Sequence, residues 1–181
     1  MVYYHGSPVK DIKILNPNVS NHTEAFVYFS SNPVVACFYT VRNNWYPYGF
    51  SKPDMIPEYT EFYLDGLKDV YSRKSGCLYE CEDLNTTENP TNIYCAYVSR
   101  NPVEVKRYRI IEDMYEEMLL QEQKGVLKIK RHKNLNKMEL ERNRARILKA
   151  IKDGDLLHSE DDYAKFIKER FPYEWEKANQ A

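Results

Sequence analysis

Ala25-Phe26-Val27-Tyr28-Phe29-Ser30-Ser31-Asn32-Pro33-Val34-Val35-Ala36-Cys37-Phe38-Tyr39 is the stretch on which the fold turns. Residues 25–29 are dominated by aromatic and β-branched side chains, the composition of a strand. Ser31-Asn32-Pro33 then reads as a helix start. A short polar side chain caps the first free N–H groups, and proline suits the first turn. Residues 34–41 continue as a helix that is mostly apolar and therefore buried. Upstream, residues 2–4 form an aromatic, β-branched run ended by Gly6-Ser7-Pro8, so a first strand is expected to enter a turn there.

Downstream the punctuation is heavier. Residues 42–58 carry Asn, Gly, Pro47, Pro53 and Pro57, which is loop composition. Residues 60–64 and 77–81 read as strands and 83–91 as a polar loop. Residues 93–99 and 103–110 are expected to pair around Arg100-Asn101-Pro102. Past residue 110 the chain turns to charged helix. One helix is expected over 113–124, closed by Gly125, and another over 136–152 with Leu140, Arg144, Ile147, Leu148 and Ile151 on one stripe. Ser159, followed by Glu160, Asp161 and Asp162, is expected to cap a last helix with Tyr163, Phe166, Ile167 and Phe171 as its apolar face, stopped by Pro172. The fold class expected is α+β. Residues 1–110 hold the strands, and residues 111–181 form a helical extension packed on them rather than an independent domain.

The chain has 181 residues, enough for one domain with an extension, and needs neither metal nor disulfide for stability. Its formal charge of -1 indicates neither a nucleic-acid nor a membrane partner. Cys77 and Cys81 are spaced without a His or second Cys pair at zinc-ligand spacing, so free thiols in a reducing cytosol are expected, and no metal. No signal-peptide pattern and no apolar run of membrane-spanning length is read, so a cytoplasmic protein without a membrane partner is expected. Sixteen tyrosines suit clefts for flat ligands and half-buried strands alike.

Three pieces carry chemistry: Tyr4-His5-Gly6-Ser7, then Tyr28-Phe29-Ser30 with Tyr39 eleven residues after Tyr28, and Ala96-Tyr97-Val98. A His at a strand end can hydrogen-bond a ribose hydroxyl. A Gly beside it leaves its backbone N–H and C=O open to a primary carboxamide. Two tyrosines on a strand and the following helix can sandwich a flat cationic ring, at about 0.5–2 kcal/mol per contact. Together these describe a nicotinamide riboside site.

These residues resemble the three motifs of the diphtheria-toxin-like ADP-ribosyltransferases, the branch that includes the poly(ADP-ribose) polymerases. His5-Gly6-Ser7 matches the first motif, Tyr28-Phe29-Ser30 the second, and Tyr39 the second tyrosine. The resemblance covers residues 1–110. It implies split antiparallel β-sheets around an NAD cleft, with His5 and Tyr28 as catalytic residues. His5, Gly6, Ser7, Tyr28, Ser30 and Tyr39 would then bind NAD as co-substrate. In the third motif Ala96 stands where the family has its catalytic Glu, and Glu80, Glu82 and Glu104 are nearby candidates to supply the missing carboxylate. Polymer formation is therefore not expected. The implied activity is mono-ADP-ribosyl transfer to a protein or nucleic-acid acceptor. The alternative is a non-catalytic module on the same fold that binds NAD, a nucleotide or nucleic acid. Residues 124–152 hold eleven Lys/Arg against Glu139 and Glu141, which reads either as a solvated helix face or as a contact for nucleic-acid phosphates.

Overall fold

A computed structural model describes residues 1–19, 24–82, 84 and 88–180. In chain order the elements are β1 (Val2–Ser7), β2 (Ile14–Leu15), β3 (Asn18–Val19), β4 (Ala25–Ser30), α1 (Pro33–Phe38), β5 (Tyr48–Ser51), β6 (Ile56–Thr60), α2 (Gly66–Tyr71), β7 (Gly76–Glu82), β8 (Ala96–Ser99), β9 (Val103–Glu104), β10 (Arg107–Ile111), α3 (Met114–Gln123), β11 (Lys128–Lys130), α4 (Lys137–Asp153), α5 (Asp162–Arg170) and α6 (Pro172–Asn179). The class is α+β.

Six strands make the main sheet, in the order β10-β7-β1-β4-β3, with β8 also on β4. All its pairings are antiparallel. β1 is laddered to β7 from Val2 to Ser7, but to β4 only at Tyr4–Ser30. The two central strands therefore part beyond Tyr4, over the stretch that carries His5, Gly6 and Ser7. A second sheet, β11-β6-β5, and a two-stranded ribbon of β2 and β9 complete the strands.

One face of the main sheet carries α1, whose Val34, Ala36, Cys37 and Phe38 enter a core shared with Leu67, Tyr71, Met114 and Met118. Asn32 caps α1 by accepting from Val34 and Val35 N–H, and Pro33 opens it. Gly6 sits beneath this helix. A Cβ on Gly6 would stand 2.0 Å from the Ala36 carbonyl oxygen, so only glycine lets α1 lie this close. The opposite face is covered by Leu15, Val103 and their neighbours around Phe29, Tyr79 and Cys81. α4, α5 and α6 gather a third core of Ile147, Ile151, Leu156, Ile167 and Phe171, closed by Phe62 and Trp45. α3 and β11 belong instead with the sheets: α3 buries Met114 and Met118 under α1, and β11 pairs in parallel with β6.

Several expectations are corrected. Residues 48–60 form the β5–β6 hairpin rather than a loop, and residues 61–64 form no strand. β8 does not pair with the strand after it. It pairs with β4, while β9 pairs with β2 and β10 with β7. Asp161, not Ser159, caps α5, and Ser159 Oγ instead accepts from the Asp161 N–H. Pro172 starts α6 rather than ending the chain's helices, because proline fits a first turn as well as it stops a last one. In the expected loop over 83–91, residues 84 and 88–91 form neither strand nor helix, and residues 83 and 85–87 lie outside the described residues. All four cysteines are buried and unpaired. No described helix is long and apolar enough to cross a membrane.

Candidate functional site

Tyr4, Ser30 and Ala96 form one row across three strands, since Tyr4 faces Ser30 and Ser30 faces Ala96 in register. The three motif segments thus lie side by side on β1, β4 and β8. Across the parting of β1 and β4, His5 Nδ1 sits 2.8 Å from the Tyr28 carbonyl oxygen. A carbonyl only accepts, so Nδ1 carries the proton and the neutral ring keeps a lone pair at Nε2. Among the described residues Nε2 has no hydrogen-bond partner, and the ring packs between Phe29 and Tyr79. The arrangement can accept one hydrogen bond from a hydroxyl.

Burial disfavours the imidazolium and lowers the His5 pKa below its ordinary 6.5, while the bond to Tyr28 offsets part of this. In the unfolded chain His5 titrates at the ordinary value, so on acidification the unfolded state gains the proton first. The stability contributed by neutral His5 is complete above pH 6.5 and is lost as pH falls toward the lower folded value. An NMR titration of the His5 ring is expected to show its midpoint below 6.5. A midpoint above that value would require a nearby anion that stabilises the charged ring.

Ser7 is buried, and its Oγ accepts from the Val9 N–H at 3.1 Å, so it holds the turn into Pro8. Ser30 is buried at the end of β4. Its hydroxyl donates to Cys95 Sγ at 3.1 Å and accepts from the Asn32 N–H at 3.0 Å. Ser31 N–H donates to the Cys95 carbonyl at 2.9 Å. These bonds pin the end of β4 to the residue before β8.

Tyr39 closes α1. Its ring lies 4.7 Å from that of Tyr46, and its hydroxyl is 2.8 Å from the Tyr48 hydroxyl. Burial raises the pKa of both Tyr39 and Tyr48, so both phenols stay protonated at neutral pH. The Tyr28 ring packs edge-on against Phe26 at 6.0 Å. Tyr28 and Tyr39 are thus held by different neighbours, on a strand and on the helix that follows it. The face of Gly6 toward α1 is filled by the Ala36 carbonyl and the Thr40 N–H. A carboxamide would therefore reach the Gly6 backbone along the strand edge, between β1 and β4.

Of the carboxylates near in sequence, Glu80 faces Tyr4 on β7 and is ion-paired to Arg107. It stands three strands from Ala96, about 14 Å at the usual strand spacing. Glu104 pairs with Lys106 on the exposed ribbon, and Glu82 lies exposed at the end of β7. None of the three takes the place of the missing side chain. Tyr46, Tyr48, Phe50 and Tyr94 beside the row were not read as site residues. Their signal was the alternation of Tyr46, Tyr48 and Phe50, which is the period of a strand.

In the basic segment, Lys130, Arg131, Lys137, Arg144 and Lys149 are engaged by acidic partners. This is much of what a solvated, self-compensated surface requires. Among the described residues no three His, Cys, Asp or Glu side chains converge on a point that would hold a metal ion. Comparison with protein-family models, with curated proteins and with solved structures gives no match to this chain.

Proposed function

We propose that this chain is an NAD-dependent ADP-ribosyltransferase of the diphtheria-toxin-like kind, transferring single ADP-ribosyl groups to a protein or nucleic-acid acceptor. One observation carries the reading. The three motif segments occupy adjacent strands with Tyr4, Ser30 and Ala96 in register, and His5 bridges the parting strands to Tyr28. The unpartnered acceptor at His5 Nε2 and the Gly6 backbone, beyond the point where β1 and β4 are laddered, suit a ribose hydroxyl and a carboxamide.

NAD would supply the bond between nicotinamide and ribose, whose cleavage frees the ribose carbon for an acceptor's nucleophile. The chain's own contribution is positioning and electrostatics rather than covalent chemistry. His5, locked in one tautomer by Tyr28, accepts from a ribose hydroxyl. Tyr39, held by its hydroxyl bond to Tyr48, presents a ring at the end of α1. Tyr28 presents a second ring from β4, and two electron-rich faces favour a pyridinium cation.

Incubation with NAD labelled in the nicotinamide ring is expected to release free nicotinamide, and His5→Ala is expected to reduce that release to the buffer rate. Release that is absent with every acceptor class, or unchanged in His5→Ala, overturns the reading. A second reading is a binding module without turnover, favoured by Ala96 and by the engagement of Glu80 with Arg107. It predicts that NAD raises the melting temperature while nicotinamide release stays at background.

A further inference from the structure

Residues 42–52 read Arg42-Asn43-Asn44-Trp45-Tyr46-Pro47-Tyr48-Gly49-Phe50-Ser51-Lys52, rings bracketed by two cations. In the folded chain these rings continue into neighbours from two other segments. Tyr46 lies 4.7 Å from Tyr39. Tyr39 lies 6.1 Å from Tyr48, Tyr48 lies 6.2 Å from Phe50, and Phe50 lies 6.0 Å from Tyr94. The result is a continuous ridge of five aromatic rings. Its far member, Tyr94, is 69% exposed and stands two residues before Ala96. Phe38, stacked on Tyr48 at 4.8 Å and fully buried, roots the ridge in the core under α1.

Both bracketing cations are exposed, and among the described residues neither has an acidic partner. Arg42 acts electrostatically on the Tyr46 hydroxyl at one end of the ridge. Lys52 follows the last residue of β5 at the tip of the hairpin, two residues after Phe50. Anchored rings on a segment flanked by two free cations match what an unpaired polynucleotide requires: π-faces for its bases and positive charge for its phosphates. A neutral sugar chain would use the rings but has no need of the cations. A duplex would use the cations but keeps its bases stacked inside.

We propose that this ridge binds single-stranded nucleic acid, with a base stacked on the exposed ring of Tyr94 and the backbone held by Arg42 and Lys52. The site shares Tyr39 with the nicotinamide reading, but its nucleic-acid contacts at Tyr94, Arg42 and Lys52 do not depend on that reading. It also differs from the basic surface of α4, where Lys137, Arg144 and Lys149 are engaged by acidic partners.

The test uses the whole chain without NAD and a fluorescein-labelled oligothymidylate of about twenty nucleotides, followed by anisotropy at several salt concentrations. Binding is expected at low salt and is expected to weaken steeply as salt rises. Tyr94→Ala, at an exposed position that leaves the core untouched, is expected to weaken binding about tenfold. Arg42→Ala and Lys52→Ala are each expected to flatten the slope of log affinity against log salt by about 0.7. No binding at low salt overturns the proposal. So does undiminished binding by Tyr94→Ala, or loss of binding in Arg142→Ala/Arg146→Ala with Tyr94→Ala normal. Stronger retention by a neutral glucan than by the oligonucleotide also overturns it.

Discussion

Ala96→Glu is expected to raise the rate of nicotinamide release, by about 10²–10⁴-fold if the new carboxylate acts with the efficiency of a positioned acid–base group. The side chain at this position springs from the row that contains Ser30 and Tyr4, directly across from Ser30. No carboxylate among Glu80, Glu82 and Glu104 reaches that point. On the proposed function, the wild-type chain has a site that positions without assisting, and the added carboxylate would supply the assistance. Ala96 is about nine-tenths buried, so a larger side chain will cost stability, and the control must match that cost. Ala96→Gln has the same shape without the charge and is expected to bring no gain. Equal rates in the Glu and Gln variants, with both folded, would sink the idea that only a carboxylate is missing. Tighter NAD-dependent stabilisation without turnover in Ala96→Glu would favour the binding-module reading.

The elements that the sequence displayed clearly are those whose signals are local. Residues 25–39 show a β-prone run, a capping Asn and a first-turn proline, and each works as expected in β4 and α1. The helices near 113–124 and 136–152 were equally plain, because Asp113 and Asn136 cap them and the apolar spacing of the second persists over several turns. The β5–β6 hairpin was hidden by its prolines. Pro53 sits in the turn between the strands, and Pro57 lies just before the stretch where β11 is laddered to β6, so its missing N–H removes no bond from that ladder. Strand partners were not legible at all. The short turn at Arg100-Asn101-Pro102 suggests a hairpin, yet β8 finds β4 some seventy residues away, because pairing is decided by which faces can be buried together. The candidate site shares this division. His5, Tyr28 and Tyr39 stand out as residue types at a spacing. The Tyr39–Tyr48 hydroxyl pair and the Ser30–Cys95 bond depend on tertiary contacts that no local pattern announces.

Gly6→Ala is expected to destabilise the fold by about 3 kcal/mol, the upper part of the usual range for overpacking. For a chain of this size that is a fall of roughly 6–12 °C in melting temperature. The reason is specific to the neighbour. The added methyl would meet the Ala36 carbonyl oxygen at 2.0 Å and the Thr40 backbone nitrogen at 3.0 Å, and backbone atoms in a capped, buried helix cannot swing aside as a surface side chain can. To admit the methyl, α1 must lift from β1, and Val34, Ala36, Cys37 and Phe38 lose packing together. Gly49 supplies the comparison, since a Cβ there meets nothing within 4 Å. Gly49→Ala is expected to leave the melting temperature unchanged or raise it slightly, because glycine weakens a strand interior. A Gly6→Ala protein that melts with the wild type would show that α1 yields at this contact, and Gly6 would then be explained only by what approaches its backbone along the strand edge. The expected loss of stability gives the opposite conclusion. Gly6 is required by the packing of α1 whatever binds beside it, and its replacement cannot report on a ligand.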